Sequence, residues 1–380
     1  MGDQPNPFRF GALALDEAFT DREGELAELR ADVMAGQDVV IFAPRRYGKS
    51  SLIWRVAQEL VGEDVLVAQV DLMTTPTPAQ LASKLARAIH DDIASPLFRA
   101  RERLRAFQGL RLRPTVTIDP DDARVGFTFD ASAAPEDLHA TLERLLELPA
   151  QLAAERRRRV AVVLDEFQEI ATIDPHLPNL MRAVFQAQPE VAHVYLGSKR
   201  HMMARIFNDA NEPFWRSAKR IELGTIAPAA FAPFIAARFE TTGRAVVPDA
   251  VDAVLTATGG HPYATQELCY FLWAEIAAGA TAQPEHVTEA LERVLRSEHA
   301  HFSLVWEDAS AAQRRLLQAL ARERGRPLSQ DYRRRHNLPG TSAVQRALGY
   351  LERDELVARD RGRAWIAEPF LAEWILRNQE

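Results

Sequence analysis

Residues 38–52 read DVVIFAPRRYGKSSL: a short apolar run, a bend rich in proline, arginine and glycine, and the start of an amphipathic segment, SLIWRVAQEL (51–60). The run DVVIF is β-branched and almost continuously apolar, which suits a strand buried on both faces. Behind it, Gly48, Lys49 and Ser50 match the carboxyl half of the phosphate-loop pattern GxxxxGK[ST]. The chemistry accounts for the spacing. Backbone N–H groups at a helix start wrap phosphate oxygens, a lysine reaches the outer phosphates, and a hydroxyl binds Mg²⁺. Ala43 stands where the pattern has its first glycine, and its Cβ would cost about 1 kcal/mol if the backbone needed a positive φ. The plainer alternative is a surface turn carrying an incidental lysine.

Three further runs have the same character: VLVAQV (65–70), VAVVL (160–164) and VAHVYL (191–196). Helical patterns separate them, at 51–60, 78–89 and 136–155. That alternation predicts an α/β domain with a parallel sheet. TVTI (115–118) and VGFTF (125–129), around the turn-rich DPDDA, predict an inserted antiparallel hairpin. After about residue 224 the strand signal ends, and helices are expected near 228–240, 249–257, 262–277 and 284–299. From about 301, helices followed by LVARDRGRAWIA (356–367) outline a winged helix. The expected division is a core over 1–224, a helical lid over 225–300 and a winged helix over 301–380.

The run VAVVLDEFQEI (160–170) sets Asp165 and Glu166 just beyond a buried strand, at the strand ends where α/β sheets bind ligands. There a first carboxylate can hold Mg²⁺ and the next can polarise an attacking water. An acidic pair that merely caps the next helix is the competing reading.

Bulk properties narrow the function classes. The 380 residues suggest two or three domains at roughly 150 residues each, and 47% hydrophobic with 26% charged residues supply an ordinary core. A single cysteine, Cys269, excludes an internal disulfide or a thiolate zinc cluster. No apolar stretch approaches the ~20 residues that cross a bilayer, the first residues lack a signal pattern, and Asn6 breaks the myristoylation pattern. A cytoplasmic protein without membrane partners is expected. A net charge of −7 excludes coating of nucleic acid by bulk charge, while leaving room for a local basic face.

In order and spacing, these segments resemble the bacterial and archaeal STAND-like P-loop ATPases of the AAA+ grade. NPFRFG (6–11) and FTDREGEL (19–26) are similar to the family's opening segment and its R-E-x-E-L box. FAPRRYGKSSL is similar to its Pro-Arg-Arg phosphate loop, and LDEFQE to its Walker B strand. YLGSKRHMMARIF (195–207), PFWRSAKRIEL (213–223), GGHPYATQELC (259–269) and AEPFLAEWILR (367–377) are similar to its later segments. The resemblance implies ATP/ADP and Mg²⁺ as cofactors. The nucleotide would be held by Ala43, Pro44, Arg45, Arg46, Tyr47, Gly48, Lys49, Ser50 and Ser51, with Arg22 beside the adenine and Pro262 packing on it from the lid. It implies Ser50 and Asp165 on the metal and Glu166 and Lys49 in catalysis. Among Ser198, Lys199 and Arg200, the guanidinium of Arg200 is the preferred γ-phosphate sensor, although Lys199 and Arg200 equally suit a solvated helix start. Arg216 or Arg220 would serve as an arginine finger, in cis or trans, worth ~10³–10⁵-fold in hydrolysis, or as ordinary surface charge. His261 reads as a packing or surface residue, because no partner ligands lie at metal-binding spacing.

The tail is more basic than the rest: 305–380 carries net +3, leaving −10 for 1–304. A second helix, 341–356, is expected to be capped by Thr341 or Ser342, and offers Gln345, Arg346 and Arg353 to DNA. Glu352, Asp354 and Glu355 oppose that use. Three functions follow: a Mg²⁺-dependent ATPase switch, slow or stimulated by a protein partner or by self-association; a nucleotide-tuned DNA-binding protein using 329–366, similar to archaeal origin-recognition ATPases; or a scaffold that holds ADP.

Overall fold

The computed structural model describes residues 4–12, 19–93, 107, 109–118 and 125–379. The chain forms two compact units. One comprises Arg22–Ala43 and Leu52–Leu223; the other comprises Met1–Asp21, Pro44–Ser51 and Gly224–Glu380.

In the first unit, β1 (Val39–Phe42), β2 (Leu66–Asp71), β5 (Val160–Asp165), β6 (Val191–Gly197) and β7 (Lys219–Glu222) make one sheet. Its order is β2-β5-β6-β1-β7, and every pairing is parallel. Of the four apolar runs that looked doubly buried, three lie at β1, β5 and β6 in the middle, and almost all of their residues are buried; the fourth, VLVAQV, is a correction, because it forms the edge strand β2 and its burial alternates along the strand. Strand β7 lies at an edge, and of its four residues only Ile221 is buried, which is why its sequence reads weakly. The register sets Phe42 opposite both Gly197 and Glu222, so β1, β6 and β7 end level. Strand β5 ends at Asp165, opposite Asp71. The inserted strands β3 (Thr115–Ile118) and β4 (Val125–Thr128) pair antiparallel; the connecting DPDDA (119–123) lies outside the described residues.

The second unit is mainly helical. Helices at Pro228–Thr241, Pro248–Thr258, Pro262–Glu275, Pro284–Asp308 and Pro369–Asn378 all open on proline, whose missing N–H and fixed φ suit a first helical position. The Pro284–Asp308 helix runs unbroken through position 300. Helices Ala311–Arg322, Gln330–Arg335 and Thr341–Arg353 precede the antiparallel hairpin of β10 (Val357–Asp360) and β11 (Arg363–Ile366). Two expectations need correction. Two-residue strands β8 (Ala245–Val246) and β9 (Thr281–Ala282) pair in parallel, too short to leave a periodic signal. The helix at Thr341 is capped by Gly340, without a side-chain bond, so neither Thr341 nor Ser342 is its cap. Among the described residues, no helix is long and apolar enough to cross a membrane.

The amino-terminal arm packs on the helices of its own unit. Phe8 is buried against Phe239 and Phe234, and Asn6 Nδ2 donates to the Tyr270 carbonyl at 2.9 Å. The Gly259–Gly260 pair ends one helix and turns into the next with φ of +58° and +71°. A Cβ on Gly260 would lie 2.2 Å from the Ile226 carbonyl oxygen, and Gly260 O accepts the Ile226 N–H at 2.9 Å. Gly279 has a similar φ, +79°, with open space around it. Gly260→Ala is therefore expected to cost about 2–4 kcal/mol against about 1 kcal/mol for Gly279→Ala. Urea unfolding of both variants checks this, and equal costs would contradict it.

Candidate functional site

In the sheet unit, the site is built at the carboxyl ends of β5 and β6. Glu166 follows β5 in the left-handed region, at φ +53°, a conformation a non-glycine residue adopts only when its surroundings hold it there. Its N–H donates to Asp165 Oδ1 at 2.9 Å. Three donors converge on Glu166 Oε2: the Ser198 hydroxyl at 2.8 Å, the Ser198 N–H at 3.3 Å, and the Gln168 amide. Ser198 is buried directly beyond β6, so the end of one strand grips the carboxylate at the end of its neighbour. Gly197 makes this close fit possible: a Cβ there would lie 2.4 Å from Met203 Cγ and 2.5 Å from Gln168 Oε1.

The basic candidates of this unit have acidic or aromatic neighbours. Arg200 opens its helix with Nη2 3.6 Å from Glu222 Oε2, and Lys199 Nζ is 2.8 Å from Glu169 Oε1. Arg220 lies over the Phe42 ring at 4.5 Å and bonds Asn208. Arg216 is exposed, left-handed at φ +51°, and 5.2 Å from the Trp215 ring. Arg22 is buried at φ +78° and pairs with Glu25 at 2.8 Å.

The phosphate-loop residues Pro44–Ser51 belong to the other unit. Ala43, which precedes them, is fully buried and its backbone is not left-handed, so its methyl adds no backbone strain. The left-handed positions are Arg46 (φ +68°) and Gly48 (φ +84°). Lys49 opens the helix Lys49–Gly62, is buried, and donates from Nζ to the Pro44 carbonyl at 3.3 Å. Arg45 and Ser50 are exposed, while Tyr47 and Ser51 are buried. The Arg46 guanidinium lies 4.3 Å over the Tyr263 ring, with Nη1 3.2 Å from Glu368 Oε2. Tyr47 meets the His261 imidazole edge-on at 4.6 Å. His261 is buried rather than a surface group: it caps the helix that Pro262 opens, its Nδ1 accepting the Ala264 N–H at 3.2 Å. Burial, with the Arg46 charge adding, pulls its pKa down to about 4, which keeps Nδ1 an acceptor.

Nearby, Glu267 is buried without a hydrogen bond to Oε1. Burial first, then the charges of Glu298 and Glu368, push its carboxyl up to about 8, against the pull of Arg46. Burial first, then Glu267, also pushes the Tyr263 hydroxyl up to about 12. Sequence reading missed Ser198 and Gln168 as partners of Glu166; their places just past β6 and β5 were the available signal. It also missed Glu267 and Glu368, which only folding brings near residue 46.

A family model described as an ATPase domain predominantly from Archaea matches residues 19–268. One described as a probable winged helix domain matches 300–377. Among solved structures, the chain is similar to the Walker-type ATPase PABY2304 of Pyrococcus abyssi, at 15% identity and a TM-score of 0.66, over 96% of this chain and 98% of that one. It is also similar to ORC1 of Aeropyrum pernix, solved in complex with DNA, at 14% identity and TM-score 0.49, covering 96% and 94%. A third is the RuvB Holliday junction branch migration motor of Thermotoga maritima, at 14% and 0.42, covering 93% and 94%. At such identities the likeness concerns fold. A search of curated proteins finds no sequence match. The fold is a parallel-sheet α/β core like that of P-loop AAA+ ATPases, with a winged helix at its carboxyl end.

The Glu267 carboxyl makes a testable statement about pH. Its folded pKa lies above the ordinary carboxylate value, so the folded chain keeps a proton that the unfolded chain releases. Stability relative to a residue that cannot ionise is therefore lost as pH rises from the ordinary carboxylate range through about 8. The melting temperature of Glu267→Gln is expected to gain on that of the wild type between pH 5 and pH 9. Parallel melting curves over that range would contradict the assignment.

Proposed function

This chain belongs to the family of ATPase domains predominantly from Archaea, and on that premise we propose that it is a STAND-like, Mg²⁺-dependent switch that binds ATP and hydrolyses it to ADP and phosphate. The observation that carries the proposal is the loop itself: strand β1 passes through left-handed Arg46 and Gly48 into a helix that opens on Lys49, the geometry that aims backbone N–H groups at phosphate. In this reading the backbone of 43–51 cradles the phosphates and Lys49 neutralises them. Arg22 and Pro262 flank the base, and Arg200 senses the terminal phosphate.

Ser50 and Asp165 supply the hard oxygen donors that suit Mg²⁺. Bound there, Mg²⁺ would neutralise charge on the phosphate oxygens. Glu166 orients the attacking water, positioned by Ser198 and Gln168. Catalysis is then mainly positioning and electrostatics. Arg216 or Arg220 acts as a finger in cis or trans, and turnover is slow or partner-stimulated. The core (1–224), lid (225–300) and winged helix (301–380) are the parts whose arrangement follows the nucleotide.

Phosphate release tests the roles. Lys49→Ala is expected to abolish ATP binding. Glu166→Gln should bind ATP while releasing phosphate ~10²–10⁴-fold more slowly. Release unaffected by both changes would refute the catalytic assignment, whereas no release by the wild type would leave a nonhydrolysing scaffold that holds ADP.

One observation favours a second reading, a nucleotide-tuned DNA-binding protein. Gln345, Arg346 and Arg353 on the helix Thr341–Arg353, and Arg361 and Arg363 at the hairpin, are all exposed. Glu352, which would repel phosphate, is instead paired with Arg359 at 2.8 Å. Binding to duplex DNA that weakens steeply as salt rises is the expected result of this reading; no binding even at low salt removes it.

A further inference from the structure

One charged side chain of the phosphate loop, that of Arg46, is committed within the helical unit. The Arg46 Nη1–Glu368 Oε2 contact, 3.2 Å long, joins the loop to the residue that caps the terminal helix Pro369–Asn378. The same guanidinium rests over Tyr263, in the first turn of the Pro262–Glu275 helix. One residue later, Tyr47 meets His261. Two consecutive loop residues therefore tie the phosphate loop both to a lid helix and to the winged-helix segment. A cavity of about 550 Å³ opens beside the pair, with Arg45, Arg46, His301, Asp308 and Glu368 among its lining residues.

A guanidinium presents its N–H groups in one rigid plane. An edge of Arg46 turned to Glu368 cannot also be turned to a phosphate oxygen, and phosphate, with more charge and more acceptors, is the stronger partner. The side chains of the pair are 36% and 18% exposed, a partly solvated contact of the kind that contributes little net stability and breaks readily.

We propose that the Arg46–Glu368 pair is an autoinhibitory latch: it holds the winged-helix segment to the phosphate loop, and a polyphosphate bound to that loop draws Arg46 away and releases the segment. The latch rests on the reading of residues 43–51 as a nucleotide site. Because Glu368 and phosphate compete for one side chain, removing the carboxylate raises nucleotide affinity, just as nucleotide loosens the segment.

The test uses the full chain stripped of nucleotide, with ATP and Mg²⁺ as probe. ATP affinity and amide hydrogen exchange over 357–379 are measured in the wild type, Glu368→Gln, Arg46→Lys and Lys49→Ala. Glu368→Gln is expected to bind ATP about fivefold more tightly, the scale of a partly exposed ion pair. Without nucleotide it should already exchange at the rate the wild type reaches only with ATP. Arg46→Lys, which keeps the charge and loses the planar fork, should also raise exchange without nucleotide, and it carries the test if Glu368→Gln fails to fold. Wild-type affinity and exchange in Glu368→Gln, alongside ATP binding that Lys49→Ala abolishes, would overturn the latch and leave the nucleotide reading standing. No ATP binding by the folded wild type would overturn the nucleotide reading and the release step together.

Discussion

Between Phe42 and Lys49 the backbone passes from an inner strand of a parallel sheet to the start of a helix, through left-handed positions at Arg46 and Gly48. Glycine takes such a conformation at no steric cost, whereas an arginine does so at roughly 1–2 kcal/mol. The surroundings therefore hold Arg46 in place, and its partners Tyr263 and Glu368 are the visible means. The same turn brings Lys49 to the helix start. One backbone constraint thus sets both the start of that helix and the partners of Arg46 in the helical unit.

A second constraint acts at the ends of β5 and β6. Glu166 is left-handed, and its Oε2 receives two donors from Ser198 and one from Gln168. A carboxylate held this way has a fixed direction, which positioning a water requires. Such a fit leaves no room for a side chain at Gly197. In the helical unit the electrostatics take another form: burial and neighbouring carboxylates push the Glu267 and Glu368 carboxyls up, while Arg46 supplies the opposing charge. Those two carboxyls are then sensitive to where that arginine goes.

Much of the fold could be read from the chain because its strands advertise themselves. DVVIF, VAVVL and VAHVYL are central and doubly buried, so their apolar runs are nearly continuous. Strand β7 lies at an edge with Ile221 its one buried residue, so it leaves no continuous apolar run, and β8 and β9 escaped notice at two residues each. The bend from β1 into the helix at Lys49 was legible because its turn-forming residues follow one another at short spacing. The grip on Glu166 was not, since Ser198 comes 32 residues later and only the parallel pairing of β5 with β6 brings it close. The Arg46–Glu368 pair spans 322 residues, and no local pattern encodes such a meeting. His261 looked like a packing residue; its part as a helix cap depends on the turn made by Gly259 and Gly260.

The claim on which the functional account stands is that the loop between β1 and its helix holds the phosphates of a nucleotide. Equilibrium dialysis of nucleotide-stripped, folded protein against radiolabelled ATP, with and without Mg²⁺, tests it most directly. The account predicts saturable uptake approaching one nucleotide per chain, strengthened by Mg²⁺ and displaced by unlabelled ADP. Label distributed equally across the membrane at every concentration would contradict it.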